Sequence, residues 1–210
     1  MNKEPYDNIY PVIFPRSKEG DLKKDQVYLE RVLDGLVAFV AQTQTDPDRY
    51  QFITTPRVGP DKIPKELLWK SALKNLFEVI HADWDPEHAY IIISSKPKDF
   101  GAAGLLHPYL HEYLVKQFGE EYIVLPYSTE YLIAMPMLSP DEILEGFRDD
   151  LQENPEPFPL SNRIYLVEDG VTTVYPNTSS DFIPVVLEDP KAQEKKKRRK
   201  KHGSKQHSFM

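Results

Sequence analysis

Proline punctuates this chain. It fixes φ, lacks an N–H and is kept to helix starts, turns and strand margins, and the residue before it is driven from the helical region. Nineteen prolines against nine glycines in 210 residues therefore divide the chain into short elements, and neither an internal repeat nor a heptad pattern occurs. The longest apolar runs, "LVAFVA" and "AYIII", fall far short of the roughly 18–20 residues that cross a bilayer.

The segments between prolines carry distinct periods. An apolar stretch, Ile9 to Phe14, precedes a polar loop over "SKEGDLKKD"; Val27 to Val32 reads as a helical turn or short strand, and Leu36 to Gln42 and "YQFITT" as strands. Pro64 suits a first helical position, and Leu68, Trp69, Ala72, Leu73, Leu76 and Ile80 follow at helical spacing. "AYIIISS" predicts a buried strand, and "FGAAGLL" a second one. Pro108 opens a helix through Leu110, Leu114 and Phe118, stopped by Gly119. "EYIVLP" and "YLIAMP" predict strands on either side of the turn "YSTE". Ser139, Pro140 and Glu142 form a capping-box signature ahead of Ile143, Leu144, Phe147 and Leu151.

"ENPEPFPL" is an extended connector, and "RIYLVEDGVTTVYP" is a hairpin turning at Asp169-Gly170. Paired strands with single helices between them predict an α+β fold: a single domain over residues 1–187 with a mainly antiparallel sheet and about three helices. Residues 188–210 are expected to form a disordered Lys/Arg-rich tail.

Charge separates the two regions. Residues 191–210 hold nine Lys/Arg and one acid, a net of +8, which leaves 17 basic against 32 acidic residues, or −15, for the first 190; the whole chain is −7. A body so acidic disfavours polyanion binding over most of its surface. The chain has no cysteine, which removes disulfides and thiolate chemistry and suits a reducing compartment. The opening "MNKEPYDNIY" has no basic, apolar leader pattern, so a cytoplasmic protein with no membrane span is expected.

Several stretches carry a family likeness: "IYPVI", "LDGLVAFVA", "LWKSALKNL", "FGAAGLLHP", "YIVLPYSTEYLIAMP" and "LSNRIYLVEDG". In order and spacing the body, though not the tail, resembles the YtpQ-like group of bacterial proteins of unknown function. The resemblance implies an intracellular α+β protein and no established activity. Relatives often carry a histidine before the glutamate of the turn that here reads "YSTE", so histidine chemistry at that turn is not carried over.

Three constellations could carry chemistry. "HADWDPEH" gathers acids and imidazoles from which Asp83, Asp85 and His88 could hold a metal, although the spacing matches neither an EF-hand nor a zinc pattern. The plainer reading is a solvated turn at Asp85-Pro86, with His81 at a helix C-terminus. His107 and His111 are four apart, but Pro108 replaces the glutamate a zinc peptidase requires and starts the helix between them. Ser128 and Glu130 in one loop and Arg163 in another could form a small polar catalytic site if the loops share a sheet edge, with Arg163 anchoring an anion; turn and strand-end capping is the plainer account. No phosphate loop, dinucleotide fingerprint or serine elbow occurs, so no cofactor is expected. The aromatic residues, 11% of the chain, fall at core spacing, and core packing accounts for them.

The run Lys195, Lys196, Lys197, Arg198, Arg199, Lys200 and Lys201 cannot fold by itself, since its repulsion is offset by no apolar burial. It could bind nucleic-acid phosphates, lie on anionic lipid, act as a nuclear-localisation signal in a eukaryotic cell, fold back on the acidic body, or serve as a solvated terminus. The leading expectation is a non-enzymatic protein-interaction module whose tail adds weak nucleic-acid or other polyanion affinity. The alternative is a hydrolase with a polar or metal-assisted site at the strand-end loops.

Overall fold

The computed structural model describes residues 6, 8–33, 35–44, 49–59, 62–156 and 159–176, together with the backbone of 185–186. The run Lys195 to Lys201 and the boundary expected at residue 187 lie outside these. The architecture is α+β. Among the described residues all pairings between strands are antiparallel, and they form two sheets.

The smaller sheet centres on β3 (Leu36–Thr43), whose residues from Leu36 to Ala41 are buried. β1 (Ile9–Pro15) pairs along one side of β3; β2 (Leu29–Leu33) and β4 (Tyr50–Phe52) share the other. The ambiguous stretch at Val27 to Val32 is thus resolved as a strand. The expected polar loop at Ser17 to Asp25 instead contains a short helix, α1 (Glu19–Lys24). Glu19, nearly buried, gathers Lys23 at 2.6 Å and Arg31 at 3.2 Å, and Leu22 inserts into the core. One carboxylate thereby organises a segment whose composition reads as loop.

α2 (Lys65–Val79) follows Pro64 and lays Leu68 and Ala72 against Ile9 and Val40 of the smaller sheet and Ile53 just after β4. It stops at Val79, and the chain continues at once into β5 (Ile80–Asp85). This corrects the expected turn: "HADWD" is strand, paired residue for residue with β6 (Tyr90–Ser95), and only residues 86–89 turn. His81 lies in that strand and not at the helix terminus. Cross-strand pairing outweighed a composition of two aspartates and a histidine, residues that read as loop formers.

The predicted strand at "FGAAGLL" is also corrected. Gly101–Leu106 is a 3-10 helix pressed into the core, and a Cβ on Gly101 would stand 1.9 Å from the Glu130 carbonyl oxygen. Small residues there serve close approach instead of strand pairing. Phe100, just ahead of it, stacks on Tyr10 at 4.8 Å and joins this segment to the smaller sheet.

α3 (Pro108–Phe118), β7 (Glu121–Leu125), β8 (Tyr131–Pro136) and α4 (Pro140–Glu153) follow as the sequence predicts. Ser139 precedes α4 but makes no side-chain capping bond; its carbonyl accepts from the Ile143 N–H at 3.1 Å. β9 (Ile164–Glu168) and β10 (Val171–Tyr175) close the Asp169-Gly170 hairpin with φ of +50° and +77°. β11 (Val185–Val186) pairs briefly with β10.

The larger sheet therefore runs β11-β10-β9-β7-β8-β6-β5. Its period-2 alternation divides two cores. Tyr122, Val124, Ile91, Ile93, Leu132, Tyr165 and Val167 face α3 and the 3-10 segment, whereas Ile123, Leu125 and Ile164 face Leu144 and Phe147 of α4. Among the described residues β5 is an edge strand of this sheet, paired with β6 alone. Among the described residues no helix is long and apolar enough to cross a membrane.

Candidate functional site

The acidic turn is built on Asp85. Its Oδ1 accepts the backbone N–H groups of Glu87 at 2.9 Å and His88 at 3.2 Å, and its Oδ2 meets His88 Nδ1 at 3.2 Å. These contacts, the His88 imidazole foremost, hold the Asp85 carboxyl below its ordinary range. Asp83 shares the Asp85 face of β5, two residues back. The carboxylate is thus engaged as the cap of its own turn. Among the described residues no group of three His, Asp or Glu side chains is placed to hold a metal ion.

The two polar loops do meet at one end of the larger sheet. Ser128 bridges Pro159, and the Leu160 N–H donates to the Tyr127 carbonyl at 3.3 Å. Their side chains diverge, however. Buried Ser128 Oγ accepts the Glu130 N–H at 3.3 Å, Glu130 pairs with Lys98 at 3.6 Å, and Arg163 extends to the β2–β3 turn, its Nη2 3.0 Å from the position a Cβ on Gly35 would take. Ser161 Oγ accepts the Arg163 N–H at 3.0 Å. Both serines are thus occupied as turn formers.

Beside these loops lies a shallow depression of about 260 Å³ lined by Leu151, Pro155, Glu156, Pro159, Leu160 and Ser161. Tyr131 donates its hydroxyl to Glu156 there at 2.5 Å and stacks on Tyr127 at 5.3 Å. Burial, and then the carboxylates, push both phenols well above their ordinary range. They are neutral donors at physiological pH and unsuited to act as bases.

His107 and His111 are separated in role by Pro108. His107 precedes α3 and is 4% exposed, with its Nδ1 unpartnered among the described residues. His111 lies on the helix with its Nδ1 2.7 Å from the Tyr122 hydroxyl. Burial lowers the pKa of both.

The least expected surface is aromatic. Phe77, Trp84 and Tyr109 are 58%, 49% and 62% exposed, which corrects the core-packing expectation for these three, whereas Phe39, Phe100, Tyr122, Phe147 and Tyr165 are buried as expected. Phe77 and Tyr109 stand 5.5 Å apart, with His107 stacked on Phe77, and Trp84 lies 5.9 Å from Phe118. The pairs flank β5 at opposite ends, beside the two termini of α3. Register was the available signal: Phe77 follows Leu76 and so falls off the Leu68–Ala72–Leu76 stripe, and Tyr109 falls beside Leu110–Leu114. For Trp84 no such signal existed, because its segment reads as a turn. Neither a protein-family model, nor a curated protein, nor a solved structure matches this chain.

Proposed function

We propose that this chain is a protein-interaction module that engages its partner along the β5 edge and the aromatic side chains flanking it. The observation that carries the reading is the exposure of Phe77, Trp84 and Tyr109 around a strand edge. Large aromatics concentrate at the centres of protein interfaces, and an open edge offers main-chain donors and acceptors to an added strand. The run Lys195 to Lys201 adds a sequence-independent attraction for nucleic acid or another polyanion. The serines of the strand-end loops, bonded within their own turns, favour this reading over a hydrolase.

A photo-crosslinking residue placed at Phe77 or Tyr109 tests the reading in the cell, with Glu145 on the exposed side of α4 as the control. Discrete protein adducts are expected at 77 and 109 and not at 145. Adducts only at 145, or turnover of ester, phosphate or nucleic-acid substrates by the purified chain, would overturn it.

A further inference from the structure

The geometry points to a second copy of this chain as the partner: two β5 strands pair antiparallel about a two-fold axis, with Ala82 opposite Ala82 of the other copy. This rests on the reading of the β5 surface as a protein-binding one and names its occupant.

The register follows from the ladder. The Lys96 N–H donates to the Val79 carbonyl at 3.0 Å, and the β5–β6 pairing continues without a bulge from Ile80↔Ser95 to Asp85↔Tyr90. Hydrogen-bonded and non-bonded positions alternate in an antiparallel pair. Val79, His81, Asp83 and Asp85 therefore bond towards β6, while Ala82 and Trp84, and the Ile80 carbonyl, direct their main-chain groups away from β6, where no described residue pairs with them. A new strand must bond through these even-numbered positions. A two-fold axis normal to the sheet keeps each face continuous and makes the contact self-complementary.

Three central registers remain, and side chains separate them. Pairing Ala82 with Trp84 sets Asp83 against Asp83, and pairing Ile80 with Ala82 sets His81 against His81. Pairing Ala82 with Ala82 sets His81 opposite Asp83 twice and Ile80 opposite Trp84 twice. An imidazole N–H then faces a carboxylate on one face of the sheet and two apolar pairs form on the other. Trp84 of each copy is brought to the end of β5 where the other copy's Phe77 and Tyr109 stand exposed. The charge that would guard this edge as a lone strand, Asp83, becomes complementary only in this register.

The other sheet treats its edge differently. β1 carries Pro11 and Pro15, residues without a donor, whereas β5 has no proline.

The absence of native cysteine makes the test register-specific. His81→Cys and Asp83→Cys are prepared separately in the full chain and oxidised alone and as a mixture. The inference expects sedimentation at twice the 24.4 kDa chain mass for the unmodified protein, and a disulfide-linked dimer from the mixture but from neither variant alone. Ala82→Pro, which removes an outward N–H while leaving the β6 ladder intact, is expected to sediment as monomer with an unchanged circular dichroism spectrum. A monomer at every concentration, or bridging within either single variant and not the mixture, overturns the inference. If adducts to a different protein still form at Phe77 and Tyr109, only the second-copy inference fails; if adducts are also lost, the interaction reading fails with it.

Discussion

At the scale of single residues, two glycines make opposite demands. A Cβ on Gly101 would meet the Glu130 carbonyl oxygen at 1.9 Å and the Ser94 Cα at 2.9 Å, both backbone atoms. Neither can rotate away, so Gly101→Ala is expected to cost about 3 kcal/mol, the upper part of the overpacking range, read as a lowered urea midpoint. Gly146 lies within α4 with nothing within 4 Å of a built Cβ. Gly146→Ala should therefore stabilise by roughly 0.5–1 kcal/mol through helix propensity and a less flexible unfolded chain.

The buried histidines set a pH dependence. Burial depresses the pKa of His107 and His111 below 6.5, with Glu120 and Glu112 partly opposing it at His111. The unfolded chain then binds more protons than the folded one in the window from about 6.5 down to the depressed folded values. Stability is fully present above that window and is lost as pH falls through it. Thermal melts are expected to decline between pH 7.5 and 5.5, and His111→Gln to flatten that decline. Glu19, whose pKa is lowered first by Lys23 and then by Arg31, contributes its loss only below its ordinary 4.5.

Among the elements, α4 is the one whose sequence works partly against itself. Asp141, Glu145, Asp149 and Glu153 form one row at four-residue spacing, and like charges so placed destabilise a helix by roughly 0.2–0.5 kcal/mol per pair. Packing of Leu144 and Phe147 on the sheet, and the Tyr175 hydroxyl donating to Asp141 at 2.6 Å, hold it nonetheless. Asp149→Lys turns two repulsions into attractions. It should raise stability by about 1 kcal/mol in low salt, with the gain shrinking as salt is added; a gain independent of salt would point to propensity instead.

Legibility differed between elements for identifiable reasons. α2, α3 and the β9–β10 hairpin were readable because their signals, Pro64, Pro108 and Asp169-Gly170, act locally. β5 was not, since its strand state is imposed by the β6 ladder across the turn, against the propensity of Asp83 and Asp85. The Gly101–Leu106 segment reads as a strand because small apolar residues suit both a strand and a tight helical turn. Only the approach of Glu130, distant in sequence, decides between them. The same limit applied to the candidate sites. That the Ser128 and Arg163 loops meet could be posed as a condition, but the divergence of their side chains depends on Lys98 and the β2–β3 turn, and no spacing in the sequence records that.

At the scale of the whole molecule, three side-chain cores among the described residues hold the described architecture, and the sequence concentrates a charge of +8 in residues 191–210, outside the described residues. The two regions should therefore be separable. A chain ending at Pro190 is expected to keep the thermal midpoint of the full chain within a degree or two, because the composition of residues 191–210 offers little apolar surface to bury. Polyanion affinity should separate with the tail. Each phosphate neutralised on duplex DNA contributes about −0.9 to the slope of log K against log salt, so seven adjacent cations limit the slope to roughly −6. A body of −15 opposes binding and reduces affinity further at low ionic strength, where screening is weakest. Fluorescence anisotropy with a labelled duplex over a salt series should give the full chain a weak, sequence-independent affinity with a slope between about −3 and −6, and give the truncated chain none. Equal, salt-insensitive binding by both chains would move the nucleic-acid surface to the body and sink the assignment of the tail.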